Sequence, residues 1–332
     1  MDTAEKNRVF SSDHGRNNKY FQVTLEDFAQ SFGTTVEDIP DNCRELIATA
    51  DFRYKMPTDE ERDEILLGVL KKIESERQAV GAPERQDVWE KGWAENLHDF
   101  VKSGHNLNSL VPKFIRPNQA IRFNRNYIVP CNPKFELDYF SIFRLWLFGK
   151  YLKTFDYIYE FGCGTGFNLA VLAQLYPKKK LYGLDFVPSS VDLVNRIGDT
   201  YSWSITGHLF NMRTPDENFE MAENSAIFTI GAIEQLAGDF EAFLQFVLKH
   251  SPKLCIHVEP TLELYDENNL IDYLAMKLHR KRGYTENYLT RLRELESSNI
   301  VEILKVQRPF LGSLYMEGYS YMIWRLGKRG CD

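Results

Sequence analysis

One segment of the 332-residue chain constrains the fold more than any other: residues 157–169, which read YIYEFGCGTGFNL. An apolar run typical of a buried strand leads into Gly162, Gly164 and Gly166, and an apolar run predicted to be helical follows. A ligand can approach the backbone closely at these glycines, because a Cβ there would block it or forbid the required dihedral angles. The segment therefore predicts a ligand site over the carboxyl end of a parallel strand.

The same segment excludes two common nucleotide sites. The dinucleotide fingerprint G-x-G-x-x-G needs a small residue where this chain has Phe167. No Gly-Lys-Ser or Gly-Lys-Thr follows the glycines, so the segment is not a P-loop. The loop therefore belongs to a different class of ligand site.

The pattern around the glycine segment alternates between helices and strands. A long apolar helix is predicted at residues 139–152. Strands are predicted at 157–161, 181–185, 204–210, 225–230 and 254–258, and helices at 167–176, 188–197 and 240–250. This alternation predicts an α/β fold with a mostly parallel sheet and helices on both faces. The apolar runs 301–306 and 319–325 lack a helix between them and predict an antiparallel C-terminal hairpin at the sheet edge.

Capping signals predict helices in the first third of the chain. Thr24 and Gly33 are placed to begin and end one helix. Thr58 is placed to begin a second, and Gly81 and Pro83 to stop it. These signals predict an N-terminal helical extension ahead of the α/β domain.

A third helix is predicted from Asp87, and it carries Trp89 and Trp93 four residues apart on one face. We interpret the pair as apolar residues that dock this helix on the core. The alternative is that the two indoles stack on a substrate.

Composition divides the chain into three predicted parts: a helical extension at 1–103, an irregular connection at 104–134, and the α/β domain at 135–332. The connection is rich in Asn and Pro and contains Arg122, Asn124 and Tyr127. This polar and cationic set is suited to gripping an anionic or hydroxyl-rich substrate. The alternative is an ordinary solvated loop.

Charge and cysteine content narrow the possible partners. Lys and Arg number 40 against 47 Asp and Glu, a formal net charge of −7, which makes nucleic acid or an anionic membrane an unlikely partner. The five cysteines are scattered and odd in number, which predicts a reduced, cytoplasmic compartment. No stretch approaches the ~20 apolar residues of a membrane span.

His257, Glu259 and Asp266 have no recognised ligand spacing, so no metal site is predicted.

The glycine segment resembles motif I of the class I S-adenosylmethionine-dependent methyltransferases, in which an acid stands two residues before a G-x-G-x-G loop. The resemblance extends over roughly residues 135–325 and implies a Rossmann-like methyltransferase sheet with S-adenosylmethionine as cofactor. It assigns the cofactor to the following residues: Glu160, Gly162, Cys163, Gly164, Gly166, Asp185, Phe186, Asn211, Met212 and Gly231.

Within that set the resemblance implies separate roles. Asp185 accepts from both ribose hydroxyls, which suits a carboxylate. Phe186 covers one face of the adenine, and Asn211 lies near its amino group where the family more often has Asp. Gly231 belongs to a stretch that lines the methionine end, and Gln235 stands there in place of the usual His.

The catalytic candidates are residues at or beyond the carboxyl ends of later strands. Glu234 follows the fourth strand, Glu259 ends the fifth, and His279 lies further along the chain. A carboxylate or imidazole here is suited to accept a proton from a hydroxyl nucleophile. Glu234 and Glu259 could alternatively hold the cofactor's amino group or a substrate hydroxyl, and His279 could complement a helix dipole. His257 is interpreted as a hydrogen-bonded core histidine.

The predicted activity is methyl transfer to an oxygen or nitrogen of a small polar metabolite, with a sugar or sugar conjugate preferred. The tail at 317–324 and the Val-Glu-Pro strand end resemble those of methyltransferases of bacterial sugar and surface-glycan pathways. Two alternatives stay open: a methyltransferase acting on a protein or RNA, and a non-catalytic scaffold subunit that binds the cofactor.

Overall fold

The computed structural model describes residues 19–77, 80 and 84–327. The predicted helix stop at Gly81 and Pro83 lies outside the described residues. Two sheets are present within the described residues, a large one of seven strands and a small one of five.

The N-terminal part combines helices with short strands. Its elements are β1 (Tyr20–Gln22), α1 (Leu25–Phe32), α2 (Asp41–Thr49), β2 (Arg53–Lys55), α3 (Asp59–Ser75), α4 (Glu84–Lys102), β3 (Ile121–Phe123) and β4 (Asn126–Pro130). The two capped helices confirm the sequence prediction, since Thr24 and Thr58 each form a reciprocal capping box and Gly33 ends α1 in the left-handed conformation. The third helix begins at Glu84, three residues before the predicted start.

The α/β part follows as a regular alternation. Its elements are α5 (Phe135–Tyr151), β5 (Tyr157–Phe161), α6 (Phe167–Leu175), β6 (Lys180–Asp185), α7 (Pro188–Tyr201), β7 (Ile205–Leu209), β8 (Ser225–Ile230), α8 (Glu241–His250), β9 (Leu254–Val258), α9 (Leu270–Arg282), α10 (Tyr288–Ser297), β10 (Val301–Gln307), β11 (Leu311–Gly312) and β12 (Tyr321–Leu326). Helix α10 has no counterpart in the sequence prediction.

The large sheet has the order β10-β12-β9-β8-β5-β6-β7. The five strands from β9 to β7 are parallel, whereas β12 runs antiparallel to both β9 and β10. This arrangement confirms the predicted Rossmann-like α/β fold with an antiparallel C-terminal hairpin. All carboxyl ends of the parallel strands lie at one edge, where ligands bind in sheets of this kind.

The small sheet corrects the prediction of an irregular connection at 104–134. Strands β3 and β4 lie within that connection and join β1, β2 and β11 in the order β1-β2-β4-β3-β11. Asn124 and Arg125 form the two-residue turn between β3 and β4, both with positive φ. Such a turn matches the twist of a hairpin, and Asn at its first position was the only local signal for it.

The N-terminal part packs directly against the α/β part through aromatic side chains. Phe32 of α1 stacks on Trp146 of α5 with ring centroids 4.9 Å apart, and Ser31 hydrogen-bonds to Tyr139. Phe32, Tyr139 and Trp146 are all fully buried. One continuous apolar core therefore runs from the N-terminal helices to the large sheet.

A buried ion network joins the small sheet to the C-terminal segment. Arg122 of β3 donates to the Asp272 carboxylate at 2.9 Å. Arg308 donates to the same carboxylate at 2.6 and 2.8 Å and to Glu317 at 2.6 and 3.0 Å. Both arginines and both carboxylates are buried, so each charge depends on its partners because water does not reach it.

We expect Asp272→Asn to lower the free energy of unfolding by about 3 kcal/mol, because it leaves buried guanidinium groups short of a carboxylate. Burial alone would raise the pKa of Asp272, but hydrogen bonds and charge from Arg308 outweigh burial and lower it. The contribution is therefore complete above the ordinary pKa near 4 and is lost as the pH falls further. Urea unfolding of Asp272→Asn and of the exposed control Asp192→Asn measures the difference; equal stabilities would contradict the prediction.

Candidate functional site

A cleft lies over the carboxyl ends of β5, β6, β7 and β8, as the glycine segment predicted. It encloses roughly 1000 Å³, including the part open to solvent. Its lining residues are Arg85, Gln86, Trp89, Trp93, Gly162, Asp185, Phe186, Phe210, Asn211, Met212, Arg213, Gly231, Ala232, Gln235 and Leu236. We refer to residues 231–236 as the wall segment.

The glycine loop forms the floor of the cleft. Gly162 and Gly164 have φ of +71° and +51°, a region that favours glycine. A Cβ on Gly162 would collide with the Ala232 side chain, and a Cβ on Gly164 would lie 3.1 Å from the Trp93 ring. The loop therefore meets the wall segment on one side and α4 on the other with no space for side chains.

Asp185 is the one carboxylate among the described lining residues. Its Oδ2 accepts from the Gly164 amide at 2.9 Å and its Oδ1 from the Val187 amide at 3.1 Å. Each carboxylate oxygen can accept a second hydrogen bond, so Asp185 retains acceptor capacity inside the cleft. Burial raises its pKa to about 6, and the two amides oppose that rise.

The residues predicted to hold a ligand divide into two groups. Gly162, Asp185, Phe186, Asn211, Met212 and Gly231 line the cleft. The other four, Glu160, Cys163, Gly164 and Gly166, are not among the lining residues. Cys163 is buried, with its thiol 3.6 Å from Ser190 Oγ, and Gly166 precedes the first turn of α6.

Glu160 is held beneath the loop by a chain of hydrogen bonds. Arg144 Nη1 donates to Asn168 Oδ1 at 3.1 Å, and Asn168 Nδ2 donates to Glu160 Oε1 at 2.7 Å. The Arg144 guanidinium also lies over the Phe167 ring, 3.7 Å from its centroid. Burial raises the pKa of Glu160 to about 8, and Asn168 and Arg144 oppose the rise.

Helix α4 forms the roof of the cleft. It contributes two tryptophans that we interpreted from the sequence as contacts with the core. Trp89 and Trp93 stack with centroids 5.3 Å apart and both line the cleft. They therefore do not serve mainly to dock α4 on the core, as the sequence suggested. The available signal was that the first half of α4 has no apolar residue besides the two tryptophans and the exposed Val88, and therefore lacks the apolar stripe that docking requires.

The roof is fastened to the first turn of α7. The Ser189 amide donates to the Glu90 carboxylate at 3.3 Å, and Ser189 Oγ donates to the Glu90 carbonyl at 3.1 Å. A carboxylate at this position also complements the positive end of the helix dipole. These contacts hold the Trp89–Trp93 face of α4 over the cleft.

Gln235 is the most connected polar side chain of the wall segment. It donates to Glu234 Oε1 at 2.8 Å and accepts from Arg85 Nη2 at 3.3 Å. The main-chain carbonyl of Gln235 accepts from Arg213 Nη2 at 3.2 Å. Side chains from α4, from the segment after β7 and from the wall segment therefore meet at this residue.

The three catalytic candidates occupy different places. Glu234 is partly exposed beside Gln235, outside the lining residues of the cleft, and burial together with Glu259 raises its pKa to about 8. Glu259 lies behind the wall segment and accepts four hydrogen bonds. His279 is fully buried on α9, with Nε2 2.9 Å from the Thr285 carbonyl. Glu259 and His279 are therefore not placed to reach a ligand in the cleft, because their surroundings already enclose them.

The three residues predicted to bind substrate are also placed away from the cleft. Arg122 is buried in the ion network with Asp272. Asn124 lies at the β3–β4 turn, and Tyr127 is buried in an apolar cluster with Val69 of α3 and Leu274 of α9. The connection thus pairs as a sheet, with Arg122 and Tyr127 buried within the fold and Asn124 exposed at the turn, which corrects the prediction of a substrate-gripping loop.

Neither a metal centre nor a membrane-crossing helix is found in the part of the chain that the structure describes. No group of three or more His, Cys, Asp or Glu side chains there could hold a metal ion. No described helix is both long and apolar enough to span a membrane.

Comparisons with known proteins find likeness in solved structures only. No protein-family model and no curated protein sequence matches the chain. Human N-acetylserotonin methyltransferase in complex with S-adenosylmethionine is 13% identical, with 97% of this chain and 79% of that chain covered and a TM-score of 0.40. Geranyl diphosphate C-methyltransferase from Streptomyces coelicolor A3(2) is 10% identical, with 60% and 85% covered and a TM-score of 0.41.

A third likeness is to the branched-chain polyamine synthase from Thermus thermophilus. It is 12% identical, with 58% of this chain and 57% of that chain covered and a TM-score of 0.39. All three TM-scores are below 0.5.

We expect Gly164→Ala to lower the free energy of unfolding by about 1–2 kcal/mol, because an L side chain is strained at this positive φ and meets Trp93. Gly238→Ala is the matched control, since nothing lies within 4 Å of its added Cβ. Thermal unfolding compares the two variants with the wild type. If both variants unfolded at the same temperature, the close approach of loop and roof would be wrong.

Proposed function

We propose that this protein transfers a methyl group from S-adenosylmethionine to an oxygen or nitrogen of a small polar molecule. The observation that carries the proposal is the position of Asp185, a carboxylate with remaining acceptor capacity inside a cleft whose floor is a glycine loop. A carboxylate accepts well from two vicinal hydroxyls, which is the chemistry of a ribose.

The residues around Asp185 fit the rest of an adenosyl group. Phe186 offers an aromatic ring beside it, and Asn211 offers an amide that can both donate and accept. The open backbone at Gly162 suits close contact with a polar chain. Phe167, in place of the third small residue of a dinucleotide fingerprint, favours an adenosyl sulfonium compound over a nicotinamide cofactor.

When bound, the cofactor supplies an electrophilic methyl group on a sulfonium. The protein has three tasks in such a reaction: binding, alignment and exclusion of water. Asp185 and the glycine loop bind, and the wall segment with Gln235 limits the direction of approach. The stacked indoles of Trp89 and Trp93 cover the cleft and exclude water.

We infer a small acceptor because α4 covers the cleft and leaves room for a small molecule beside the cofactor. Gln86, Gln235 and Arg85 add polar groups to the lining, and the Trp89 ring adds an apolar face. Polar side chains next to an aromatic ring suit a hydroxylated ring such as a sugar, which is the acceptor class that we prefer. The net charge of −7 supports a small acceptor over RNA.

Glu234 is the residue that we propose as the proton acceptor. It does not itself line the cleft, but its carboxylate accepts from the side chain of Gln235, which does, and its charge interacts with those of Arg85 and Arg282. A carboxylate whose pKa is raised towards 8 accepts a proton more effectively than an ordinary one. The group is protonated below that pH and available as a base above it.

We expect the wild-type protein to bind S-adenosylmethionine and Asp185→Asn to bind it at least ten times more weakly, because the variant loses hydrogen bonds to a charged acceptor. Isothermal titration calorimetry measures both dissociation constants. Asp192→Asn, an exposed carboxylate on α7, is the control and keeps the wild-type affinity. An affinity unchanged in Asp185→Asn, or no binding to the wild type, would refute the proposed cofactor site.

We expect Glu234→Gln to lower methyl transfer about 100-fold while S-adenosylmethionine binds within about twofold of the wild type, because only proton transfer is removed. The assay follows a labelled methyl group over nucleotide sugars, glycosides and small amines. In the wild type the rate should rise as the pH passes about 8, where the Glu234 carboxylate ionises. Full activity of Glu234→Gln at every pH would show that another group accepts the proton.

A further inference from the structure

The wall segment is fixed from behind by a single buried carboxylate. Glu259 directly follows β9 and is 3% exposed. Its Oε1 accepts from Thr229 Oγ1 at 2.7 Å and from the amides of Ala232 and Ile233 at 3.1 Å each. Its Oε2 accepts from the amide of Glu234 at 3.2 Å. Three consecutive amides of the wall segment thus point at one side chain, which satisfies donors that a tight turn would otherwise leave unpaired.

The Thr229 hydroxyl continues this arrangement into the sheet. A hydroxyl has one hydrogen, and Thr229 donates it to Glu259, so the Thr229 oxygen accepts from His257 Nδ1 at 3.0 Å. His257 Nε2 then accepts from the Tyr288 hydroxyl at 3.1 Å. The three hydrogen bonds are therefore donated in one direction, from Tyr288 to His257, from His257 to Thr229, and from Thr229 to Glu259.

The burial of these residues supports this direction of the hydrogen bonds. Thr229 and His257 have no exposed surface, and Tyr288 is 4% exposed. Burial lowers the pKa of His257 to about 3, so its ring is neutral and has one donor and one acceptor nitrogen. His257 is therefore the hydrogen-bonded core histidine that the sequence predicted, and its role is to orient Thr229.

Displacement of the wall segment would change the shape of the cleft. Gly231, Ala232, Gln235 and Leu236 line the cleft directly. The Ala232 side chain also occupies the space next to Gly162 where a Cβ would stand. A shift of Ala232 by even a fraction of an ångström would thus alter both the wall and the glycine loop, since packed surfaces do not deform continuously.

We propose that Glu259 is a positioning residue, which holds the wall segment in the shape that binds the cofactor and touches neither cofactor nor acceptor. Thr229 is its nearest support, and His257 and Tyr288 orient Thr229. This proposal rests on the proposed function, because it takes the cleft to be the site of S-adenosylmethionine. It assigns Glu259 a different role from the proton acceptor that the sequence suggested.

The test uses S-adenosylhomocysteine as the probe, because its binding requires no acceptor. We expect Glu259→Gln to raise the dissociation constant of S-adenosylhomocysteine about tenfold or more. Both oxygens of the Glu259 carboxylate accept hydrogen bonds, whereas the side chain of Gln has only one oxygen that can accept from Thr229 and the backbone N–H groups. Thr229→Val keeps the side-chain shape, removes one of the four hydrogen bonds to Glu259 and leaves His257 Nδ1 without its acceptor. It should therefore weaken binding in the same direction by a smaller factor and lower the melting temperature. Calorimetry on the full-length protein gives each constant.

Glu263→Gln is the matched control. Glu263 borders the same small cavity behind the wall segment and accepts from the amides of Leu289 at 3.1 Å and Thr290 at 3.3 Å. Those amides belong to α10 and not to the wall segment, so this variant should lower the melting temperature and leave the affinity within about twofold. A general loosening of the fold would affect both variants, whereas a positioning role affects the affinity only through Glu259 and Thr229.

The outcomes separate the two proposals. If the wild type does not bind the probe, the proposed function fails. If the wild type binds and Glu259→Gln binds equally well, the positioning role is overturned and the cofactor site stands. Equal weakening by Glu263→Gln would also overturn it. Should Glu259→Gln not fold, Thr229→Val decides: unchanged affinity overturns the role, and weaker affinity at a melting temperature no lower than that of Glu263→Gln supports it.

Discussion

The cleft depends on the contact between the glycine loop after β5 and the end of β6. Asp185 accepts from the amide of Gly164, and the Leu184 carbonyl accepts from the amides of Gly162 and Cys163 at 2.7 and 3.1 Å. These bonds fix the distance between the carboxylate and the open backbone of the loop. A ligand that needs both therefore meets a site that is already formed, and little ordering of the loop opposes binding.

The N-terminal part stabilises the same loop from above. Thr165 Oγ1 donates to the Leu110 carbonyl at 2.7 Å, which joins the loop to the segment after α4. In the C-terminal half of α4, the side chains of Asn96 and Phe100 are buried in the fold. The N-terminal half covers the cleft, mainly through Trp89 and Trp93. The N-terminal part therefore both holds the glycine loop and covers the cleft.

The parts of the fold that the sequence predicted are those with local signals. The glycine spacing, the alternation of strands and helices, and the caps at Thr24 and Thr58 each lie within a few residues of what they determine. The small sheet and the ion network depend on distant partners: Arg122 binds Asp272, 150 residues further along the chain. The sequence of an Asn- and Pro-rich stretch does not show whether its polar side chains bind a substrate or a distant part of the chain.

A comparison of three acids at strand ends shows why site residues were harder to predict than the fold. Glu160, Asp185 and Glu259 all stand at the carboxyl ends of parallel strands, and burial raises the pKa of each. Only Asp185 of these three lines the cleft.

The three acids differ in where the fold places them and in the donors that surround them. Glu160 meets an amide donor from α6, and Glu259 meets three backbone amides and a hydroxyl. Asp185 receives one amide on each oxygen and is left with capacity for a ligand. The function of an acid at a strand end thus follows from where the fold places it relative to the cleft and from the donors around it, and both depend on tertiary structure that the local sequence does not specify.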